Sequence, residues 1–434
     1  MEEKKEGMLT PYRVLDLTDL HGLLVGKLLG DLGADVIKIE RPGGDMARDI
    51  GPFYQDDPDP EKSLFWWAFN TSKRGITLDI ESADGQAIFK KLVGTADFIT
   101  ESYPAGYMDR IGLGYDVLEK INPGIIMVAL SPFGQTGPYK DYKDSGIVAA
   151  ALGWMMDQFD DTDRPPIWIG GHPQTSLLGS MEAASAAMLA LFHRGTTGEG
   201  QYVDVSIHET VSRGASAYRR AVEEPPSDKT DDKADDKEDD GSPFLRKGRS
   251  GGGTFVNPTM IRRIWPCKDG YVILLWWAGP NAKRWNSPLV EWMDSEGMAG
   301  YLKEVDWDAF DWRYVTWEQA DQMEEPTLAF FAKHTKAELL EGALKFKAMV
   351  YPVSTCEDTL QNPQLEARGF WQELEHPELN ASVTYPGEFG VFSEAPAVVS
   401  RRPPLIGEHN KEILEEELGM SAQEVLALKQ SGVI

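Results

Sequence analysis

The sequence predicts an α/β protein with a large parallel-sheet domain followed by a smaller α+β domain. Short apolar runs alternate with segments of helical spacing up to about residue 215, which is typical of a parallel sheet. A strongly acidic stretch then interrupts the chain, and aromatic strand-like segments follow it. These observations predict a large domain over residues 1–215, an acidic linker or insertion over 216–245, and a small domain over 246–345.

Strands and helices alternate from the N-terminus onward. Residues 13–18 read as a strand, 26–32 as a helix, and 34–40 as a strand that ends in a glycine loop at 41–44. The pattern repeats as a strand at 75–79, a helix at 84–94, and strands at 96–101, 125–130 and 203–207. Residues 176–193, rich in Ala, Leu and Met, predict a helix that is buried on most faces, either in a core or at a subunit contact.

The second half of the chain begins with a segment that cannot pack into a core. Residues 223–240 hold ten acids and three lysines, a net charge of −7, and we interpret them as a solvated linker. A docking tail for a basic partner is the alternative. Residues 270–277 then predict a strand, and 412–418 and 422–429 predict two C-terminal helices.

Composition excludes several classes of function. A net charge of −27 argues against a nucleic-acid-binding surface, and an acidic ligand would need a local basic pocket. The two cysteines, Cys267 and Cys356, rule out a disulfide framework and a cysteine-spaced zinc motif, so we expect no metal. With no apolar run like that of a membrane helix or signal peptide, we expect a cytoplasmic protein.

Seven short motifs, in their order and spacing, resemble the class III CoA-transferase family of formyl-CoA and carnitine CoA-transferases. They are residues 13–18, 31–40, 70–79, 110–114, 133–138, 198–201 and 407–409. The resemblance implies a Rossmann-like large domain built from both chain ends, with residues 346–434 returning to it, and two chains that interlock as a dimer. It also implies that coenzyme A or an acyl-CoA is the substrate, its nucleotide end near His21, Arg41, Lys73, Arg74, Tyr103, Arg110 and Lys140.

The chain departs from the family at the catalytic position. In the family, an aspartate at the start of the alanine-rich helix attacks the thioester and forms a mixed anhydride, which CoA thiolate can reopen. By alignment, this chain has Ser176 there, and no acid occurs from Ile167 to Met181. A serine there is suited to cap the helix, and His172 is the base nearest in sequence. The family's mobile active-site glycine loop corresponds to Gly251, Gly252 and Gly253.

The resemblance therefore implies a non-catalytic subunit of a heteromeric CoA-transferase, whose aspartyl nucleophile comes from a paralogous sister subunit. The expected reaction moves CoA from a donor such as succinyl-CoA to an aryl-substituted dicarboxylic acid such as (R)-benzylsuccinate, as in anaerobic toluene degradation. Tryptophans at 66, 67, 154 and 168 would suit an aromatic acid. The alternatives are a stand-alone transferase or racemase that uses Ser176, His172 or Asp144, and a non-enzymatic CoA-binding scaffold.

Overall fold

The computed structural model describes residues 7–153, 155–156, 173–213 and 262–434. Their contacts divide the chain into two compact units. Within the described residues, the first unit comprises 7–153, 173–213 and 363–434, and the second comprises 155–156 and 262–362.

Six parallel strands form the sheet of the first unit. They are β1 (Arg13–Leu17), β2 (Asp35–Glu40), β3 (Lys73–Thr77), β4 (Phe98–Glu101), β5 (Ile126–Ser131) and β6 (Gln201–Ser206). Their order across the sheet is β3-β2-β1-β4-β5-β6, the order of Rossmann-type sheets. The central strands are buried along nearly their whole length, as expected for a parallel sheet covered on both faces. The predicted parallel α/β sheet is confirmed.

Helices connect these strands. They are α1 (Leu23–Asp31), α2 (Leu64–Phe69), α3 (Ala83–Val93), α4 (Tyr107–Arg110), α5 (Tyr115–Leu118), α6 (Ile147–Leu152) and α7 (Gln174–Thr197). The predicted helices at 26–32, 84–94 and 176–193 correspond to α1, α3 and α7. Strand β3 begins two residues before the predicted start because Lys73 and Arg74, which look like loop residues, are buried in the strand.

The C-terminal part of the chain completes the first unit. It contains α12 (Pro363–Ala367), the hairpin β10 (Trp371–His376) and β11 (Ala381–Pro386), a π-helix (Glu412–Glu417) and α13 (Ala422–Gln430). The end of the chain covers the edge strand β3. The Ser72 N–H donates to the Arg401 carbonyl at 3.0 Å, and the His409 N–H donates to the Gly75 carbonyl at 2.9 Å. Both ends of the chain thus build one unit.

The second unit packs helices against a small antiparallel sheet. Its strands are β7 (Ile264–Cys267), β8 (Gly270–Leu274) and β9 (Val350–Pro352), and its helices are α8 (Ala282–Ser295), α9 (Trp317–Lys333), α10 (Lys336–Phe346) and α11 (Cys356–Leu360). Its core is rich in aromatic residues, and Trp276 stacks on Trp307 at 5.2 Å. Because β9 pairs with β8, this unit continues past residue 345 to residue 362.

Helix α7 has one small-residue face and one large apolar face. Gly179, Ala183 and Ala187 belong to the buried face, and the helix packs against β5 and β6. Leu189 and Phe192 are 71% and 75% exposed, and Leu178 and Met181 are exposed at the same helical spacing. The reading of α7 as a helix of the core alone is therefore wrong, and its alternative, a helix at a subunit contact, stays a prediction. By length and composition alone α7 could cross a membrane, but 44% of its apolar window is buried in the protein.

Candidate functional site

A cleft of about 680 Å³ opens at the carboxyl edge of the six-stranded sheet. Its walls come from residues that follow β1, β2, β3 and β4, including Asp19, Arg41, Asp79 and Tyr103. Strands β1 and β4 are neighbours in the sheet but not in the chain, so the cleft lies where the strand order reverses. Open α/β sheets bind their ligands at this position.

Three of the predicted CoA-binding residues lie in or beside this cleft. Arg41 and Tyr103 line it, and the Arg41 Nε–H donates to the Gly44 carbonyl at 3.1 Å. Tyr103 stacks on Tyr107, with ring centroids 4.4 Å apart, and burial raises the pKa of Tyr103, so its phenol stays protonated. The Arg110 guanidinium lies over the Tyr107 ring at 5.0 Å. Arg41 and the two stacked rings thus line the cleft, and Arg110 lies against one of these rings.

Carboxylates occupy much of the remaining wall. Asp19, Asp79 and Glu81 line the cleft, and the Tyr107 hydroxyl donates to Glu81 Oε1 at 2.6 Å. Carboxylates accept hydrogen bonds from hydroxyl and amino groups and repel phosphates. The wall therefore suits a ligand whose anionic part lies near Arg41 and whose polar neutral part lies near the carboxylates.

The structure places Lys73 and Arg74 in internal ion pairs instead. Lys73 Nζ lies 2.8 Å from Asp16 Oδ2 with both side chains fully buried, and it also donates to the Leu23 carbonyl at 2.7 Å. Burial lowers the pKa of Lys73 to about 8, although Asp16 opposes the shift. Arg74 pairs with Asp35 at 2.7 Å and with two glutamates of the C-terminal π-helix. Neither cation has a free side for a phosphate.

Ser176 has a histidine partner, but not the one nearest in sequence. Ser176 Oγ lies 3.1 Å from His21 Nδ1, and the loop after β1 carries His21 to this position from 155 residues away. His172 lies outside the described residues. Pro173, not Ser176, occupies the N-cap position of α7, and Ser176 sits in the first helical turn, so the capping interpretation of Ser176 is wrong.

The other predicted site residues do not line the cleft in the described part of the chain. Lys140 is exposed in the loop after β5, and Gly251, Gly252 and Gly253 lie outside the described residues. Asp144 Oδ1 accepts hydrogen bonds from the Gly146 and Ala149 N–H groups, at 2.9 and 3.0 Å, and so holds the start of α6.

Two of the tryptophans proposed for an aromatic ligand are core residues. Trp66 and Trp67 are buried, and the Arg48 guanidinium covers the Trp66 ring at 3.8 Å. The interpretation of Trp66 and Trp67 as ligand-facing is wrong. Trp154 and Trp168 lie outside the described residues.

Sequence reasoning missed Glu101, a buried acid at the carboxyl end of β4. Its Oε2 accepts the Tyr103 N–H at 2.7 Å, next to the cleft. Burial, together with Asp19, Asp204 and Asp109 nearby, raises the pKa of Glu101 to about 8. The available signal was an acid directly after the buried run Phe98-Ile-Thr100.

Comparison with known proteins matches this arrangement to one family. The sequence pattern of CoA-transferase family III covers residues 9–410. The chain belongs to CoA-transferase family III. The succinyl-CoA:(R)-benzylsuccinate CoA-transferase subunit BbsE of Thauera aromatica is 33% identical over 431 residues, which cover 98% of this chain and 97% of that protein. The succinyl-CoA–L-malate CoA-transferase beta subunit of Chloroflexus aurantiacus is 27% identical over 432 residues, 98% of each chain.

A solved structure of this family has the same fold. The crystal structure of a CAIB/BAIF family protein from Brucella suis superposes with a TM-score of 0.74 at 25% identity, covering 95% of this chain and all of that one. Acyl-CoA thioesters are the substrates of the family. The chain is thus a family III CoA-transferase.

Proposed function

We propose that this chain is the non-catalytic subunit of a heteromeric CoA-transferase, and that a paralogous sister subunit supplies the aspartyl nucleophile. The observation that carries the proposal is that Ser176, in the first turn of α7, stands where the family resemblance leads us to expect an aspartate. Ser176 Oγ contacts His21 Nδ1, and neither a serine hydroxyl nor an imidazole can form an acyl anhydride. Both relatives named above are themselves subunits.

The cleft supports a role in binding the CoA thioester. The ligand's phosphates would lie at Arg41 and Arg110, and its ribose and adenine polar groups at the carboxylates of Asp19, Asp79 and Glu81. Lys73 and Arg74 are not included, because their charges are paired inside the protein. The proposed nucleotide site therefore contains fewer basic residues than the sequence analysis expected.

The exposed face of α7 supports a partner chain. Leu178, Met181, Leu189 and Phe192 are large apolar side chains on one helix face, and contiguous exposed apolar surface marks protein interaction sites. A paralogous chain with an apolar surface of the same kind would bury this face in an interlocked heteromer.

The substrates are inferred from the relatives. Succinyl-CoA appears in the names of both, and the BbsE protein belongs to an enzyme that acts on (R)-benzylsuccinate. We therefore infer succinyl-CoA as donor and an aryl-substituted dicarboxylic acid as acceptor. The role in anaerobic toluene degradation is a prediction from the same resemblance, and the cytoplasmic location stays the expectation drawn from the sequence.

The test is purification of the chain from its native source, with co-purifying chains identified by mass spectrometry. CoA transfer from succinyl-CoA to benzylsuccinate is then assayed for the complex and for the isolated chain. A stoichiometric partner with an aspartate at the position of Ser176, and activity only in the complex, is the expected result. Activity of the isolated chain would overturn the non-catalytic assignment, and binding without activity in any complex would indicate a scaffold.

The His21 contact favours a second candidate, an enzyme that uses Ser176 itself. Ser176 Oγ would bond to the acyl carbon as the carbon–sulfur bond breaks, and His21 would take the hydroxyl proton and pass it to the CoA thiolate. A mass increase of one succinyl group on the wild-type chain after incubation with succinyl-CoA, absent in Ser176→Ala, would select this candidate.

A further inference from the structure

A histidine of the C-terminal segment binds the outer edge of strand β3 through its ring. The His409 N–H donates to the Gly75 carbonyl at 2.9 Å, and the Gly75 N–H donates to His409 Nδ1 at 3.1 Å. A backbone N–H can only donate a hydrogen bond, so Nδ1 is the unprotonated nitrogen of the ring. Burial lowers the pKa of His409, so the ring is neutral at pH 7. The single ring proton is therefore on Nε2.

His409 Nε2 faces a second hydrogen-bond donor. Arg401 Nη1 lies 3.4 Å from Nε2, and a guanidinium has donors but no acceptor. The two groups therefore do not hydrogen-bond to each other. One acceptor oxygen about 2.9 Å from each nitrogen would satisfy both donors, since two sides of this length close a triangle with the observed third side.

We propose that Arg401 and His409 form a binding site for a small oxyanion, that is, a carboxylate or a phosphate group. The Arg401 carbonyl accepts the N–H of Ser72, which directly precedes β3, so Arg401 lies at the amino end of this strand. The cleft lies at the carboxyl edge of the sheet. The oxyanion site is thus separate from the cleft, and the inference does not depend on the proposed function.

The nearby carboxylates are already paired with other arginines. The two oxygens of Glu408 accept hydrogen bonds from Arg402 at 2.8 and 2.9 Å, and Glu412 Oε1 lies 2.6 Å from Arg74 Nη1. In the part of the chain that the structure describes, no carboxylate lies within ion-pair distance of the Arg401 guanidinium. The charge of Arg401 is therefore available to an anion from outside the chain.

The backbone around Arg401 is held in place, and there is room beside it. Ser72 has a φ of 63°, a left-handed conformation that is strained for residues other than glycine and that occurs preferentially at functional sites. Its N–H donates to the Arg401 carbonyl at 3.0 Å, and its Oγ accepts the Ser400 N–H at 3.1 Å. These three residues line a second pocket of about 430 Å³, with Val398 and Val399 among its other walls. The pocket leaves space next to Arg401 for the body of a ligand that carries the oxyanion.

The test titrates inorganic phosphate and succinate separately into the full-length chain, with the ionic strength held constant by sodium chloride. Proton–nitrogen NMR of isotope-labelled histidine rings reports the tautomer and the chemical shifts of His409, whose signals are assigned by their loss in His409→Asn. Asparagine keeps an oxygen that can accept the Gly75 N–H but lacks the Nε2 donor. Isothermal titration calorimetry gives the dissociation constants without the assignment.

Arg401→Met removes the guanidinium and is the decisive variant. Its matched control is Arg368→Met, at another exposed arginine of the first unit. Both positions are exposed, so both variants should fold, and circular dichroism checks this. If His409→Asn does not fold, Arg401→Met decides the test alone.

The expected result is that His409 carries its proton on Nε2 and that at least one probe shifts its ring signals saturably. Arg401→Met should weaken this binding by at least about 10-fold, whereas Arg368→Met should bind like the wild type. Binding of phosphate alone assigns a phosphate ligand, and binding of succinate alone assigns a carboxylate. Binding of both assigns a general oxyanion site, and each of these three results upholds the inference.

Three results would refute the oxyanion site. They are a proton on Nδ1 of His409, no saturable shift with either probe, and equal affinity of Arg401→Met and the wild type. None of them bears on the proposed function, because the variants change neither Ser176 nor a residue that lines the cleft.

Discussion

Replacing Lys73 with methionine tests whether Lys73 stabilises the fold or binds the ligand. Lys73 Nζ reaches the Asp16 carboxylate at 2.8 Å, the Leu23 carbonyl at 2.7 Å and Asn70 Oδ1 at 2.9 Å, all buried. In Lys73→Met the Asp16 charge stays buried without its nearest partner. Breaking one side of a buried pair costs about 3–5 kcal/mol, and we expect a loss of this size in the free energy of unfolding.

Equilibrium urea unfolding of the full chain, with hydrogen exchange of the β1 and β3 amides, measures this loss. Adding Asp16→Asn removes the buried charge and should recover part of it, because the two side chains act as one unit. Arg41→Met is the matched control: it removes an exposed cleft cation, so it should weaken CoA binding without changing stability. If Lys73→Met instead kept full stability and weakened CoA binding, the structural assignment of Lys73 would be refuted.

Three further changes test other parts of the protein. Ser176→Asp places a carboxylate beside His21 in the first turn of α7, where the helix dipole stabilises negative charge by about 0.3–1 kcal/mol. We expect this variant to form an anhydride with succinyl-CoA, which hydroxylamine traps and mass spectrometry detects. If nothing is trapped, the nucleophile is not the only catalytic part that is missing. Burial raises the pKa of Glu101 to about 8, so the folded chain keeps a proton that the unfolded chain loses above about pH 4.5. The contribution of Glu101 to the free energy of unfolding is fully present below about pH 4.5 and is lost as the pH rises through 8. Between pH 5 and 8 the wild type should therefore lose on the order of a few kcal/mol of stability relative to Glu101→Gln, measured by urea unfolding. A difference that stays constant with pH would contradict a buried protonated acid. Phe192→Asp places a charge on the exposed face of α7 and should abolish co-purification of the sister subunit without unfolding the chain. The control Glu182→Gln, on the same helix, should leave co-purification unchanged. If the sister subunit still co-purifies with Phe192→Asp, α7 does not belong to the interface.

The sheet was predictable because its strands are short buried runs with a clear local signal. Residues 13–18 and 34–40 carry that signal within a few positions, and the structure places β1 and β2 there. Strand β3 was displaced in the prediction because its first two residues are charged. Their burial depends on Asp16 and Asp35, which lie 57 and 39 residues earlier in the chain.

The candidate site was only partly predictable for the same reason. Arg41 and Tyr103 directly follow predicted strands, so their place at the carboxyl edge of the sheet follows from the α/β pattern. The contact between His21 and Ser176 depends on how the loop after β1 meets α7, and no local pattern encodes it.

The C-terminal segment that is hydrogen-bonded along the edge strand β3 affects how the chain folds during translation. The backbone groups that meet this edge come from Arg401 and His409, which are synthesised long after β3. Until then the edge of β3 is open to pairing with another chain, which is a route to aggregation. The second unit ends at residue 362, so its residues are synthesised before that point. A nascent chain that stalls before residue 400 would therefore carry a sheet whose β3 edge is unprotected.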